Sequence, residues 1–353
     1  MKAAWFFVFA AVGCGAGAAP KAASGEPPRT GQAPAASAPT SGQAAIVPPS
    51  SAAPGASSPP VPATSAAGGA ATPVSKRRFP PPNIAPPYPR SAEKGDGEWS
   101  PYPEGSPFAK TVLHPHEASR FIEVTLVAID LGAVSLGYMP GTDDLGGKKV
   151  PFVPGLVPEA DRARTLAIFN GGFQPQHGHW GMKLGETTVV PPREDGCTLA
   201  LYADGSVRLR SWPALAATAE GIHAFRQTPP CLFEEGAVHP DLVAGRDKAW
   251  AGQNPKLVTR RRSAVGLDAS GAVLFYAIGV EAPPKLLAEA LRAAGAASGA
   301  ELDINWNWTR FLLFTKNEEG KLRATTSLAE GDYAKSGYVE RPSDRDFFYV
   351  LRK

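Results

Sequence analysis

The sequence predicts an α+β domain with a mixed, mostly antiparallel sheet and few helices. Three observations carry this. Short β-rich runs recur along residues 107–353, two pairs of them are joined by tight polar turns, and one long amphipathic helix interrupts them.

The elements follow in chain order. Residues 121–131 are β-rich, with Val124, Leu126 and Ala128 alternating against Thr125 and Val127. Residues 158–164 read as a short helix ahead of the apolar strand Leu166-Ala167-Ile168-Phe169. Residues 197–202 and 207–209, joined by Ala203-Asp204-Gly205-Ser206, read as a hairpin, and so do residues 263–267 and 272–278 around Asp268-Ala269-Ser270-Gly271. Residues 284–294 are the clearest helix: Pro283-Pro284 starts it, Gly295 stops it, and Leu286, Leu287, Ala290 and Leu291 share a face. Strands are expected at 300–305, at 311–314 before a turn at Asn317-Glu318-Glu319-Gly320, and at 347–351.

The chain upstream is different in kind. Residues 1–13 have a short positive start and an apolar run, and end in small residues before Cys14, the pattern of a bacterial lipoprotein signal. Cys14 is then the lipidated N-terminus, and the protein is expected to be anchored to a membrane of the cell envelope rather than to span it. Residues 14–106 are dominated by Pro, Ala, Gly and Ser and are expected to be a disordered tether, because they lack the apolar surface to offset ordering entropy. The folded domain is assigned to 107–353.

Net charge is +3 and there is no basic stripe, which gives no footing for nucleic acid as a partner. There is no GxGxxG, P-loop, CxxC or zinc-ligand spacing. No metal site is expected, and no cofactor is identified. Cys197 and Cys231 either pair in an oxidising envelope or remain two buried thiols; spacing alone does not decide.

Candidate chemistry gathers at a few places. Asn170-Gly171-Gly172-Phe173 follows an apolar strand and opens a loop rich in Gly, His and Trp, where glycine allows φ > 0 or a close approach of backbone to ligand. Residues 301–308 alternate polar and apolar, so Glu301, Asp303 and Asn305 are expected on one strand face. Alternate residues stand roughly 6.5–7 Å apart, within the about 5–9.5 Å that separates paired glycosidase carboxylates. A merely solvated strand face is the plainer reading of the same pattern, and Trp306 and Trp308 fall on the apolar side, as core residues would. His177-Gly178-His179 offers ring nitrogens to a ligand, with His179 the candidate contact. His114-Pro115-His116 is expected to be exposed at the domain edge. Arg262 begins a strand and carries a planar fork suited to phosphate or carboxylate.

In this order, these pieces resemble the phosphodiester glycosidase family, whose members act on a sugar phosphodiester or are linked to bacterial exopolysaccharide. Asn170-Gly171-Gly172-Phe173 matches that pattern, followed by glycines at 181 and 185. Gln227-Thr228-Pro229-Pro230-Cys231-Leu232 resembles its next segment, with Pro229 where Gly is usual. Arg262-Ser263-Ala264-Val265-Gly266, the 284–295 helix and Leu302-Asp303 follow. Ile304-Asn305 stands in place of Gly-Gly with no Ser after it, and Ile278-Gly279 in place of Asp-Gly. The resemblance implies hydrolysis of a sugar-1-phosphodiester or related envelope glycan. Asp303 or Glu301 would do acid–base work, and Arg262 with Asn170, Gly171 and Gly172 would hold the phosphate. His179, Gln227 and Asn305 would contact substrate. The departures leave a second reading, a glycan-binding lipoprotein that does not cleave. Under either, Asn170, Arg262 and Asp303 are expected to converge; under a third, a scaffold protein, they need not.

Overall fold

The computed structural model describes residues 79–250, 260–331 and 333–353. The signal segment, Cys14 and residues 14–78 of the expected tether lie outside these. Among the described residues the strands form three sheets. Every pairing between named strands is antiparallel, and four short α-helices accompany them. The fold class is therefore α+β, as expected.

The largest sheet has eight strands, ordered Ser100–Pro101, Phe108–Leu113, Val124–Asp130, Val273–Val280, Arg261–Asp268, Ala296–Ile304, Phe233–Glu234 and Ala237–Val238. A second sheet of five runs Leu322–Ser327, Phe311–Lys316, Thr165–Asn170, Phe347–Arg352 and Val134–Met139. The third, also of five, runs Thr187–Val190, Met182–Leu184, Ile222–Thr228, Cys197–Tyr202 and Val207–Ser211.

One core joins the three sheets: Val127, Val265 and Tyr276 of the first meet Phe169, Phe311 and Phe348 of the second and Leu199, Leu209 and Ala224 of the third. The other face of the large sheet is covered by helix Pro284–Ala293. Its Leu286, Leu287, Ala290 and Leu291 pack against Ala264, Phe275 and Ala277. Both faces of the central strands are thus dry, which explains why Arg261–Asp268 and Val273–Val280 are buried almost end to end.

Two expectations about boundaries change. Residues 79–106 are not tether but part of the domain. Ile84 is buried, Ser100–Pro101 pairs with Phe108–Leu113, and Trp99 Nε1 donates to Pro82 O at 3.1 Å. Ile84, Trp99 and Tyr102 supply the apolar surface that the Pro/Ala/Ser tract before them lacks. His114, expected to be exposed, is buried, with its Nδ1 3.0 Å from the Asp96 carboxylate of this same segment.

The alternation expected over 301–308 breaks inside the strand. Arg262 faces Ile304 but Ala264 faces Glu301, so two steps on one strand span three on its neighbour. The extra residue is a β-bulge, and it reverses which side the following side chains take. Beyond Ile304 the strand ends. Trp306 is 46% exposed and does not join the core.

Candidate functional site

Asn170 ends its strand at the junction of the sheets. Its Oδ1 accepts from Tyr276 OH at 2.9 Å and from the Arg310 amide at 3.1 Å, and its Nδ2 donates to Ser263 Oγ at 2.9 Å and to Gly171 O at 2.9 Å. Ser263 Oγ lies 3.3 Å from both the amide nitrogen and the carbonyl oxygen of Asp303. The side chain of Asn170 is thus fully occupied in joining the second sheet to the first.

Asp303 Oδ2 accepts from Arg345 Nη2 at 3.0 Å, and its Oδ1 from the Ile304 amide at 2.7 Å. The same Arg345 nitrogen donates to Gly172 O at 3.2 Å. Burial raises the Asp303 pKa above the ordinary carboxylate value, opposed by the Arg345 charge and the Ile304 N–H. Arg345 Nε is buried and has no hydrogen-bond partner among the described residues, so one donor of the guanidinium that holds the carboxylate is left unsatisfied.

Behind this pair lies a second. Asp346 Oδ2 receives Arg226 Nε at 2.7 Å, the Gly172 amide at 3.2 Å and Tyr138 OH at 3.2 Å. Both Arg226 and Asp346 side chains are fully buried. Arg226 also donates to the carbonyls of Gln227 (2.6 Å), Trp180 (3.2 Å) and Phe173. Desolvation, then the negative charge of Asp346, raises nearby Asp144 to about 7.

This network revises the role of the two glycines. Neither Gly171 nor Gly172 has positive φ. A Cβ on Gly171 would overlap the Asp346 carboxylate, and one on Gly172 would stand 3.2 Å from the Arg226 guanidinium. They make room for the protein's own buried ion pair. The turn meets the Asp303–Arg345 pair through the Gly172 carbonyl, which accepts from Arg345.

The expected carboxylate pair is not formed on one face. Glu301 Oε1 accepts from Arg262 Nη1 at 2.9 Å, and that nitrogen also donates to Trp250 O at 2.7 Å. Trp250 belongs to the core under the long helix. Glu301 and Arg262 therefore lie on the helix side of the sheet, while Asp303, past the bulge, turns toward Arg345 and Gly172. Burial, only partly offset by Arg262, raises Glu301 to about 7. Of the three residues expected to converge, Asn170 and Asp303 do, through Ser263, and Arg262 does not.

Gln227, Asn305 and the two cysteines serve the scaffold. Gln227 uses both ends of its amide within the fold: Oε1 accepts from the amides of Arg193 (2.7 Å) and Gly181 (3.1 Å), and Nε2 donates to Arg193 O and Thr198 Oγ1, each at 3.0 Å. Asn305 Oδ1 caps the turn after the strand, accepting from the amides of Asn307 (2.9 Å) and Trp308 (2.6 Å). His179 is exposed in a left-handed conformation at φ 51°. Cys197 and Cys231 form a disulfide. Among the described residues, no cluster of His, Cys, Asp and Glu suited to a metal ion is found.

Arg345, Asp346 and Arg226 were missed by sequence reasoning. A usable signal existed for two of them: Asp344-Arg345-Asp346 is a charged triplet directly ahead of an apolar strand. Arg226 gave none, because His223, Arg226, Gln227 and Thr228 interrupt the apolar pattern of its strand.

No family model matches the chain, and neither does any curated protein sequence. Among solved structures, it is similar to the zebrafish N-acetylglucosamine-1-phosphodiester alpha-N-acetylglucosaminidase catalytic domain, auto-inhibited by its pro-peptide. Identity is 12% and the TM-score 0.44, over 72% of this chain and 86% of that one. A hypothetical protein from Synechocystis gives 12% identity and a TM-score of 0.37, over 66% and 59%. An exported protein from Burkholderia pseudomallei gives 12% and 0.26, over 65% and 74%. At these values the likeness to the first is a distant one of fold alone.

Proposed function

We propose that this protein is a cell-envelope hydrolase that cleaves a sugar-1-phosphodiester or a related phosphorylated glycan at Asp303. The observation that carries the reading is the Arg345 guanidinium. It holds Asp303 at 3.0 Å and keeps a buried Nε–H without a partner among the described residues. A phosphate oxygen is the acceptor such a charged donor fits best. The motif order around Asn170, Arg262 and Asp303 supports the same substrate class.

The chemistry needs only one carboxylate. Water attacks the anomeric carbon, Asp303 takes the water's proton, and the bond to the phosphate oxygen breaks with its electron pair on the phosphate. The leaving phosphomonoester has a second pKa of about 6, so it departs without a proton donor, unlike an alcohol. Loss of Glu301 to the opposite face is then no obstacle. Arg345 would stabilise charge that develops on the phosphate.

The Ala11-Val12-Gly13-Cys14 pattern supports a lipid anchor and an envelope location. The Cys197–Cys231 disulfide supports an oxidising compartment. Among the described residues, no helix is long and apolar enough to cross a membrane.

A second reading is binding without cleavage. It is favoured by the burial of Asp303 and by the partners already held by both its oxygens. One experiment separates the two. The protein is incubated with sugar-1-phosphodiesters and the products are followed by mass. Hydrolysis predicts free sugar and phosphomonoester, with Asp303→Asn slowing release by roughly 10²–10⁴-fold. Saturable binding without product, or release unchanged in Asp303→Asn, rejects the assignment.

A further inference from the structure

Two clefts open on the surface, one of them lined by Ser343 and Asp344, the residues just before Arg345. One, of about 300 Å³, is lined by Arg261, Trp306, Arg310 and Glu330 among others. The other, of about 260 Å³, is lined by Trp308, Arg310, Arg341 and Asp344 among others. Arg310 lines both. Ligand pockets for whole small molecules run about 300–1,000 Å³, so each cleft suits one residue-sized group.

Each cleft joins an indole to guanidinium groups. Trp306 is 46% exposed although it is a large apolar side chain, and the Arg261 guanidinium lies 5.1 Å from its ring centre. The Trp308 ring centre is 5.5 Å from the Arg310 guanidinium and 5.6 Å from that of Arg345. Arg345 is the same residue that holds Asp303. The Arg310 amide, in turn, donates to Asn170. Arg310, which lines both clefts, is thus tied to Asn170 through its amide and stands with Arg345 against the ring of Trp308. In each cleft the described lining residues include two arginines and one acid, a net positive balance. Indoles present flat apolar faces to sugar rings, and guanidinium groups present forks to phosphate or carboxylate.

We infer that the Trp306–Arg310–Trp308 surface is a two-subsite cleft that holds the continuing chain of an anionic glycan polymer, so that the ligand is a repeating polyanion rather than a single sugar phosphodiester. This rests on the Asp303 reading for its direction, but it concerns binding along the chain. Sugar faces lie on the indoles, and successive anionic groups meet Arg310 and the exposed Arg341; the Arg261 guanidinium, which already donates to Thr309 and to the carbonyls of Glu330 and Trp306, adds charge without contact.

The test is calorimetric titration of the full chain with fragments of poly(N-acetylglucosamine 1-phosphate) of one, two and four repeats. Neutral chitooligosaccharides and inorganic polyphosphate serve as comparators. Affinity is expected to rise about tenfold or more from one repeat to four. Trp306→Ala and Arg310→Gln are each expected to weaken the four-repeat fragment roughly three- to tenfold, and Arg310→Lys less. Melting curves confirm that the variants fold, and exposed Trp306 is the safer substitution. The cleft is refuted by affinity independent of length, by folded variants that bind as wild type does, or by equal binding of polyphosphate or of the neutral oligomer. Release of sugar from the methyl phosphodiester of N-acetylglucosamine is measured in parallel on the wild type. Release without a length gain sinks the cleft and leaves the hydrolase reading, and a length gain without release does the reverse.

Discussion

The carboxylate of Asp346 occupies the space that a side chain on Gly171 would need. The Asn170-Gly171-Gly172 turn and the Asp346–Arg226 pair are therefore one construction: the pair is buried because the turn is bare, and the turn is held because Gly172 N–H reaches Asp346 at 3.2 Å. Gly171→Ala is expected to push Asp346 off Arg226 and destabilise the domain by about 3 kcal/mol or more, overpacking and a disturbed buried charge acting together. Urea unfolding measures this. A loss below about 1 kcal/mol would show that the site relaxes freely and that the glycine is not there for room.

Arg345 bridges Asp303 and Gly172, so its removal strands a buried carboxylate. Arg345→Met is expected to cost about 3–5 kcal/mol in stability. Adding Asp303→Asn removes the unpaired charge and should recover a good part of that loss. The double-mutant cycle in urea is the measurement. Additive single effects would mean that the two side chains do not form the pair.

Much of the frame was legible in the sequence because it depends on local patterns. Both hairpins, the helix at Pro284–Ala293 and the strands at Thr165–Asn170 and Phe347–Arg352 follow from turn residues, proline placement and apolar runs. The strands Ile222–Thr228 and Leu322–Ser327 were not assigned: charged and polar residues interrupt their apolar pattern, and their place depends on sheet neighbours. The site was half legible. Asn170 and Asp303 stand out by residue type and motif order. Their partners Ser263, Tyr276 and Arg345 meet them only through long-range pairing within the first two sheets and packing between them. The bulge opposite Ser263, between the Arg262 and Ala264 pairings, was not visible at all. Strict alternation over 301–308 is the local signal for one shared face, and a single extra residue in the register overrode it.

Asp144 gives the fold a pH dependence with a definite sign. Its folded pKa is raised to about 7 from 3.8 by desolvation and by Asp346. The folded state thus holds a proton that the unfolded state releases. Its contribution to stability is full below about pH 4 and is lost as pH rises through about 7, at up to about 1.4 kcal/mol per pH unit. Glu301, raised to about 7 from 4.5, acts in the same direction. Asp144→Asn keeps an acceptor for the Gly141 amide, now at 2.8 Å from Asp144 Oδ2, and should flatten the stability curve between pH 4 and 7. Adding Glu301→Gln should flatten it further. Chemical denaturation at a series of pH values tests this, and slopes equal to wild type would reject the assignment.

Cys197 and Cys231 are 34 residues apart in sequence, and their bond closes the chain segment that contains the Cys197–Tyr202, Val207–Ser211 and Ile222–Thr228 strands. Those strands carry Arg226 to Asp346. Closing a loop of that length restricts the unfolded chain and is worth about 3–4 kcal/mol in the loop-entropy model. Reduction, or replacement of both cysteines by serine, is therefore expected to lower unfolding free energy by that order. It should also weaken the third sheet before the other two. Hydrogen exchange resolved by segment gives the check: amides of 197–228 should lose protection first on reduction, ahead of 261–280. Equal loss across all three sheets would show that the crosslink acts only on the unfolded chain and gives no local support to Arg226.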